Sequence, residues 1–194
     1  CQSFGQSIPY LPLQHVLRAV CGIAESDTSQ QLTEKVRSAV ERAGLAPDQS
    51  TPYLLRLLGA QEGTPMLADV APETIQARTQ EILVTMVVAQ SKLAPLAIAI
   101  EDLQWIDRSS EACLAALAET LGGASILLLT TSRPGYSLPW LGRSNATQVA
   151  LQPLSVDASR AIVEATVDKD ALSKAFTESI LRKAEGNPLF LEEL

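Results

Sequence analysis

Five aliphatic residues, Leu96-Ala97-Ile98-Ala99-Ile100, run directly into two adjacent carboxylates, Glu101 and Asp102. An uncompensated buried charge costs several kcal/mol, so the pair belongs at the mouth of a strand, facing a cation, water or a cationic side chain. A second apolar run, Ile126-Leu127-Leu128-Leu129, ends in Thr130-Thr131-Ser132-Arg133. If the two runs are neighbouring parallel strands, their polar ends meet at one edge of a sheet. Two acids beside Thr and Arg suit a magnesium-bound phosphate chain. One carboxylate holds the ion through water, its neighbour orients or deprotonates a water molecule, and Arg reads the terminal phosphate. The competing reading is an acidic strand end that is merely solvated at a loop, and the acid pair alone fits both.

Other chemistries are poorly supplied. The single histidine, His15, lies in Leu13-Gln14-His15-Val16-Leu17 and reads as a partly buried helix residue rather than a ligand or base. A Ser-His-Asp hydrolase unrelated to nucleotides would have to use it, and the chain has no G-x-S-x-G elbow. Cys1, Cys21 and Cys113 are odd in number and lack metal-type spacing, so they read as reduced structural thiols. A net charge of −7 argues against a large nucleic-acid footprint, which needs clustered Lys and Arg. No apolar run approaches the roughly 20 residues of a membrane span. The start, Cys1-Gln2-Ser3-Phe4-Gly5, lacks the regions of a signal peptide, and the expected location is the cytoplasm.

The elements that must position the acids are legible from periodicity and breakers. With 194 residues, 46% of them hydrophobic, the chain is long enough to bury a substantial core. Pro12 opens a helix that Gly22 stops, a second helix covers 30–43, and Pro52 begins a third that runs to Leu58. Residues 60–72 read as a loop. Pro72-Glu73 starts the longest helical pattern, with Ile75, Ile82, Leu83, Met86 and Val87 apolar, and Pro95 ends it. Residues 96–100 then read as a strand buried on both faces, as in parallel sheets. Ser109 or Ser110 caps the next helix, which turns Leu114, Leu117 and Leu121 inward and ends at Gly122-Gly123. A second strand covers 125–131 and a shorter third one 147–151. Strand, helix, strand at this spacing is a right-handed parallel crossover, and ligands of open parallel sheets bind at the carboxyl edge. Beyond Pro153 the pattern turns helical, over 156–167 and 170–184, with a break at Gly186-Asn187-Pro188 and a last start through Leu194.

Ile98-Ala99-Ile100-Glu101-Asp102-Leu103-Gln104-Trp105-Ile106-Asp107 resembles the Walker B segment of the signal-transduction ATPases with numerous domains, the STAND class of AAA-like P-loop NTPases. More narrowly, it is similar to the modules fused to class III adenylate or guanylate cyclases, large LuxR-type transcription regulators and some protein kinases. Three further segments agree in order and spacing: residues 1–12, residues 127–136, which resemble the sensor 1 strand, and residues 185–194, which resemble the motif ending the helical lid. The resemblance implies that Glu101 takes the magnesium position and Asp102 the water-activating position. Arg133, with Thr131, would sense the terminal phosphate, and Pro188 would approach the adenine from the lid. The bland alternatives are an Arg closing a surface turn and a Pro breaking two helices. Trp105 and Asp107 belong to the same pattern, and Gln104 stands where many relatives carry His.

One departure is large. The chain contains no G-x-x-x-x-G-K-[ST] loop, the backbone cradle that supplies most of the grip on phosphates. In the family that loop precedes the segment resembling residues 1–12, so the chain is expected to begin after it and to lack the first, central strand. Two apolar strand edges would then be unpaired. The expected architecture is α/β, with an incomplete parallel-sheet P-loop NTPase core over 1–152 and a C-terminal helical lid over 153–194. The expected role is part of an ATP-binding, ATP-hydrolysing regulatory switch that controls a covalently attached effector, such as a nucleotide cyclase or transcription regulator. Its ligands would be ATP or ADP with Mg2+. Self-association fits this role, while this segment itself would touch neither nucleic acid nor membrane and would bind nucleotide weakly or not at all in isolation. The alternative is a regulatory protein-interaction scaffold that keeps the NTPase shape without using nucleotide.

Overall fold

The computed structural model describes residues 9–60, 65–166 and 173–193. Cys1, most of the 1–12 segment, residues 61–64 of the expected loop, the junction 167–172 and Leu194 lie outside the described residues. The chain is mixed α/β, mostly helical with a small parallel sheet, and divides into two units, residues 1–146 and 147–194.

In the first unit, α1 (Leu11–Cys21) starts with Pro12 in its first turn and stops at Gly22, whose φ of 65° only glycine adopts without strain. His15 sits on this helix but is exposed, so the expected partial burial does not occur. Leu13 and Leu17 take the inward stripe instead. Helix α2 (Ser29–Arg42) opens with a capping box in which Thr28 and Gln31 each accept the other's backbone N–H. Helix α3 (Pro47–Leu57) begins a turn earlier than Pro52 suggests, because Pro47 already fills the first helical position. Pro52 therefore falls inside the helix, buried, and leaves the Asp48 carbonyl without its usual helical N–H donor. Within the span read as a loop, Pro65–Leu67 forms a short 3-10 turn. Helix α4 (Pro72–Leu93) buries Ile82, Leu83, Met86 and Val87, and packs against α1, α2, α3 and α5 (Arg108–Thr120).

Strands β1 (Leu96–Ile100) and β2 (Ile126–Thr130) pair in parallel with Leu96 opposite Ile126 and Ile100 opposite Thr130, and α5 makes the crossover. One face of this pair packs on the helical core through Ile98, Ile100 and Leu128. The other face carries Ala97 and Ala99 opposite Leu127 and Leu129, and it is open: Leu127 and Leu129 are 64% and 59% exposed. The expectation of strands buried on both faces therefore fails. Period-2 apolar runs set which residues share a face but not whether a second layer covers it. Each open leucine forgoes the roughly 1.5–3 kcal/mol that burial of such a side chain contributes.

The expected third strand is also absent. Among the described residues the sheet has two strands, and residues 147–151 are irregular, with Val149 74% and Leu151 91% exposed. Alternation in Thr147-Gln148-Val149-Ala150-Leu151 supplies a strand pattern, but a strand needs a ladder partner, and these residues have none among the described ones. They belong to the second unit, which gathers α6 (Val156–Thr166), α7 (Lys174–Ala184) and α8 (Pro188–Glu193) around Val163, Ile180, Ala184 and Leu191. Its tightest joint is Gly186. A Cβ there would meet the Leu154 carbonyl oxygen at 2.6 Å, while the Leu154 N–H donates to the Gly186 carbonyl at 2.9 Å.

Candidate functional site

Beyond Ile100 the β1 ladder continues by single bonds. The Thr131 N–H donates to the Ile100 carbonyl at 3.1 Å, and the Leu103 N–H donates to the Thr131 carbonyl at 2.9 Å. These bonds hold the ends of the two strands together just where the acids occur. Glu101 and Asp102 are both exposed, as are Thr131, Ser132 and Arg133. Asp102 adopts a left-handed backbone, φ 57° and ψ 50°, a conformation that Asp tolerates better than most residues because its short polar side chain bonds locally. This one residue turns the chain out of the strand and into a 3-10 turn, Leu103–Trp105, which fully buried Leu103 pins to the core.

Four groups then interlock. The Asp102 N–H donates to Thr131 Oγ1 at 3.0 Å. Gln104 Nε2 donates to Asp102 Oδ1 at 3.0 Å, and Gln104 Oε1 accepts the Arg133 N–H at 3.1 Å. Arg133 opens a tight turn that the Tyr136 N–H closes on the Arg133 carbonyl at 3.2 Å. Pro134 fills its second place and Gly135, at φ 92°, its third, the residue pattern of a type II turn. Beyond the turn, the Tyr136 hydroxyl donates to Glu111 Oε1 at 2.5 Å, which ties the segment to α5. Burial and the Glu111 carboxylate hold the Tyr136 phenol well above its ordinary range, so it keeps its proton at neutral pH.

The structure thus brings together Asp102, Thr131 and the backbone of Arg133, with Glu101 next in the chain. Pro188 lies in the second unit, at the first position of α8, where a proline without an N–H fits, and it is exposed. Gln104 and the Tyr136–Glu111 pair carry no role in the sequence reading. For Gln104 the available signal is a polar residue placed between Leu103 and Trp105, two positions past the acid. The helix cap also differs from expectation. Asp107, not Ser109 or Ser110, caps α5, its Oδ1 accepting the N–H groups of Ser109 and Ser110 at 3.1 and 3.0 Å.

Among the described residues no three His, Cys, Asp or Glu side chains come close enough to hold a metal by themselves. Burial pushes the Cys113 thiol up to about 12 and the Cys21 thiol up to about 11. Both are neutral packing groups at pH 7.

No family model matches this sequence, and no solved structure matches it. The chain is similar to an uncharacterized protein of Rhizobium meliloti (strain 1021), 32% identical over 161 residues that make up 82% of this chain and 16% of that protein. It thus spans 16% of the length of the curated relative it matches. No helix among the described residues is long and apolar enough to cross a membrane.

Proposed function

We propose that this chain is part of a STAND-class, AAA-like P-loop ATPase module, in which bound ATP or ADP sets the state of a covalently attached signalling effector such as a nucleotide cyclase or a transcription regulator. The observation that carries the reading is the juxtaposition at the carboxyl edge of the sheet. An acid pair follows β1, Thr131 and Arg133 follow β2, and Asp102 is hydrogen-bonded to Thr131. Open parallel sheets bind their ligands at this edge.

In this reading Glu101 contributes a carboxylate toward magnesium, which when bound neutralises charge on the phosphate chain. Asp102 orients the attacking water and accepts its proton as the bond to the leaving ADP breaks and inorganic phosphate forms. Arg133, held at the start of its turn, supplies positive charge for the terminal phosphate, and Thr131 orients Asp102 from the neighbouring strand.

The test is turnover by the full-length gene product with ATP and magnesium. Asp102→Asn is expected to abolish most turnover and to retain nucleotide binding, and equal turnover in the variant overturns the assignment. The isolated chain, which lacks a phosphate loop, is expected to bind ATP weakly or not at all by isothermal titration, and micromolar affinity would contradict that. The open sheet face with Leu127 and Leu129 favours a second reading, a protein-interaction scaffold that uses no nucleotide. A full-length protein that binds a partner but no ATP would select it.

A further inference from the structure

We propose that Gln104 is the positioning residue of this site, and that its amide couples the Asp102 carboxylate to the Arg133 turn. The inference rests on the ATPase reading above and deepens it.

The side chain meets two opposite demands at once. Toward Asp102 it presents Nε2, a donor, at 3.0 Å from Oδ1; toward Arg133 it presents Oε1, an acceptor, at 3.1 Å from the backbone N–H. Few side chains do both. Glu keeps the acceptor but has no donor when ionised, Lys has donors only, and Asn is one methylene shorter. The amide is also uncharged, so it fixes the carboxylate by a hydrogen bond without an ion pair that would compete with the water for it. Its backbone is already set by the left-handed turn and by Thr131. Its side-chain torsions are what the Gln104 bond adds, and with Oδ1 engaged the water is assigned to Oδ2. At the other end, the Arg133 N–H lies two residues past Thr131, whose N–H still bonds the Ile100 carbonyl, so holding it sets where the turn and its guanidinium begin. Buried Leu103 fixes the backbone from which Gln104 reaches both partners. A shift of the Arg133 turn is thus transmitted to the Asp102 carboxylate through one side chain, which bonds the Arg133 N–H across 29 residues of sequence and Asp102 across two.

The experiment compares wild type, Gln104→Ala and Gln104→Glu in the full-length protein by ATP affinity, kcat, thermal midpoint and hydrogen exchange of the peptide containing Arg133. Q104A and Q104E are both expected to lower kcat by about 10- to 100-fold, the scale of a misplaced catalytic group, with ATP affinity and thermal midpoint unchanged. Exchange at Arg133 is expected to accelerate in Q104A and to stay slow in Q104E, which keeps the acceptor. Unchanged kcat in both variants overturns the proposal, as does a parallel fall of kcat, affinity and midpoint, which marks a purely structural residue. If Q104A does not fold, Q104E decides the matter through its kcat at unchanged affinity. If wild type neither binds nor hydrolyses ATP, the ATPase reading fails by itself. The bridge is then still judged by exchange at Arg133, where a Q104A rate equal to wild type overturns it.

Discussion

Asp102 and Asp107 lie five residues apart in one strand-to-helix connection, yet the fold uses them in opposite ways. Asp107 is 6% exposed, and its Oδ1 is committed to two backbone N–H groups at the start of α5. Among the described residues no hydrogen bond reaches its Oδ2. Asp102 is exposed, sits in a left-handed turn, and has its carboxylate oriented by a neutral amide. The first is an anchor that the helix consumes. The second is a presented carboxylate whose backbone is fixed and whose Oδ1 is held by the Gln104 amide. Residue type alone does not tell the two apart; the partners do.

The same substitution at both places is the sharpest way to break this contrast. Asp102→Asn in the full-length protein is expected to cut ATP turnover by about 100-fold or more, the usual scale for losing a general base, without moving the thermal midpoint. Asp107→Asn is expected to leave both turnover and midpoint near wild type, because Asn caps a helix about as well as Asp. If the two variants behave alike, the contrast is wrong.

Removing the acceptor altogether comes next. Asp107→Ala is expected to cost about 1–2 kcal/mol of unfolding free energy in urea titration, the upper range for loss of an N-cap. Asp102→Ala probes backbone rather than charge. Since φ is 57° there, Asp102→Gly is expected to be more stable than Asp102→Ala by about 1 kcal/mol, the steric cost of a Cβ in a left-handed residue. Both variants lose the carboxylate, so both should be equally impaired in turnover while differing in midpoint.

A third aspartate gives the smallest effect and a control of a different kind. Asp27 accepts from Lys35 Nζ at 2.6 Å and from the Ala24 N–H at 2.7 Å, and these bonds hold its carboxyl below the usual carboxylate range. A depressed folded-state pKa stabilises the fold above the unfolded value, about 3.9, and that contribution is lost as pH falls through the lower folded value. Asp27→Asn is expected to flatten the acid side of the stability profile slightly and to leave turnover unchanged.

Much of the frame was legible because breakers and periodicity act locally. Pro12 and Gly22 bracket α1, Pro72 and Pro95 bracket α4, and the apolar runs mark both strands within a residue. The misses were decided by neighbours. Pro52 reads as a helix start, but Pro47 had already begun the helix. Ser109 and Ser110 are good caps by type, but Asp107 precedes them with an oxygen that reaches both N–H groups. Residues 147–151 alternate like a strand and remain irregular, with no ladder partner among the described residues. At the site, the acid pair and the Thr–Arg end were readable as chemistry, whereas Gln104 was not, because its role exists only once two strand ends are parallel and adjacent.

The sequence by itself determined that two apolar runs end in polar groups and that a helix of the right length joins them, since burial of aliphatic side chains and the positions of Pro and Gly settle those matters along the chain. Tertiary structure alone decided that one sheet face stays open, that Asp102 is presented from a left-handed turn held by Thr131, and that an amide joins the two strand ends. The open face depends on which layers pack on the sheet, and the other two on hydrogen-bond partners 29 residues away, and no local pattern encodes which partner arrives.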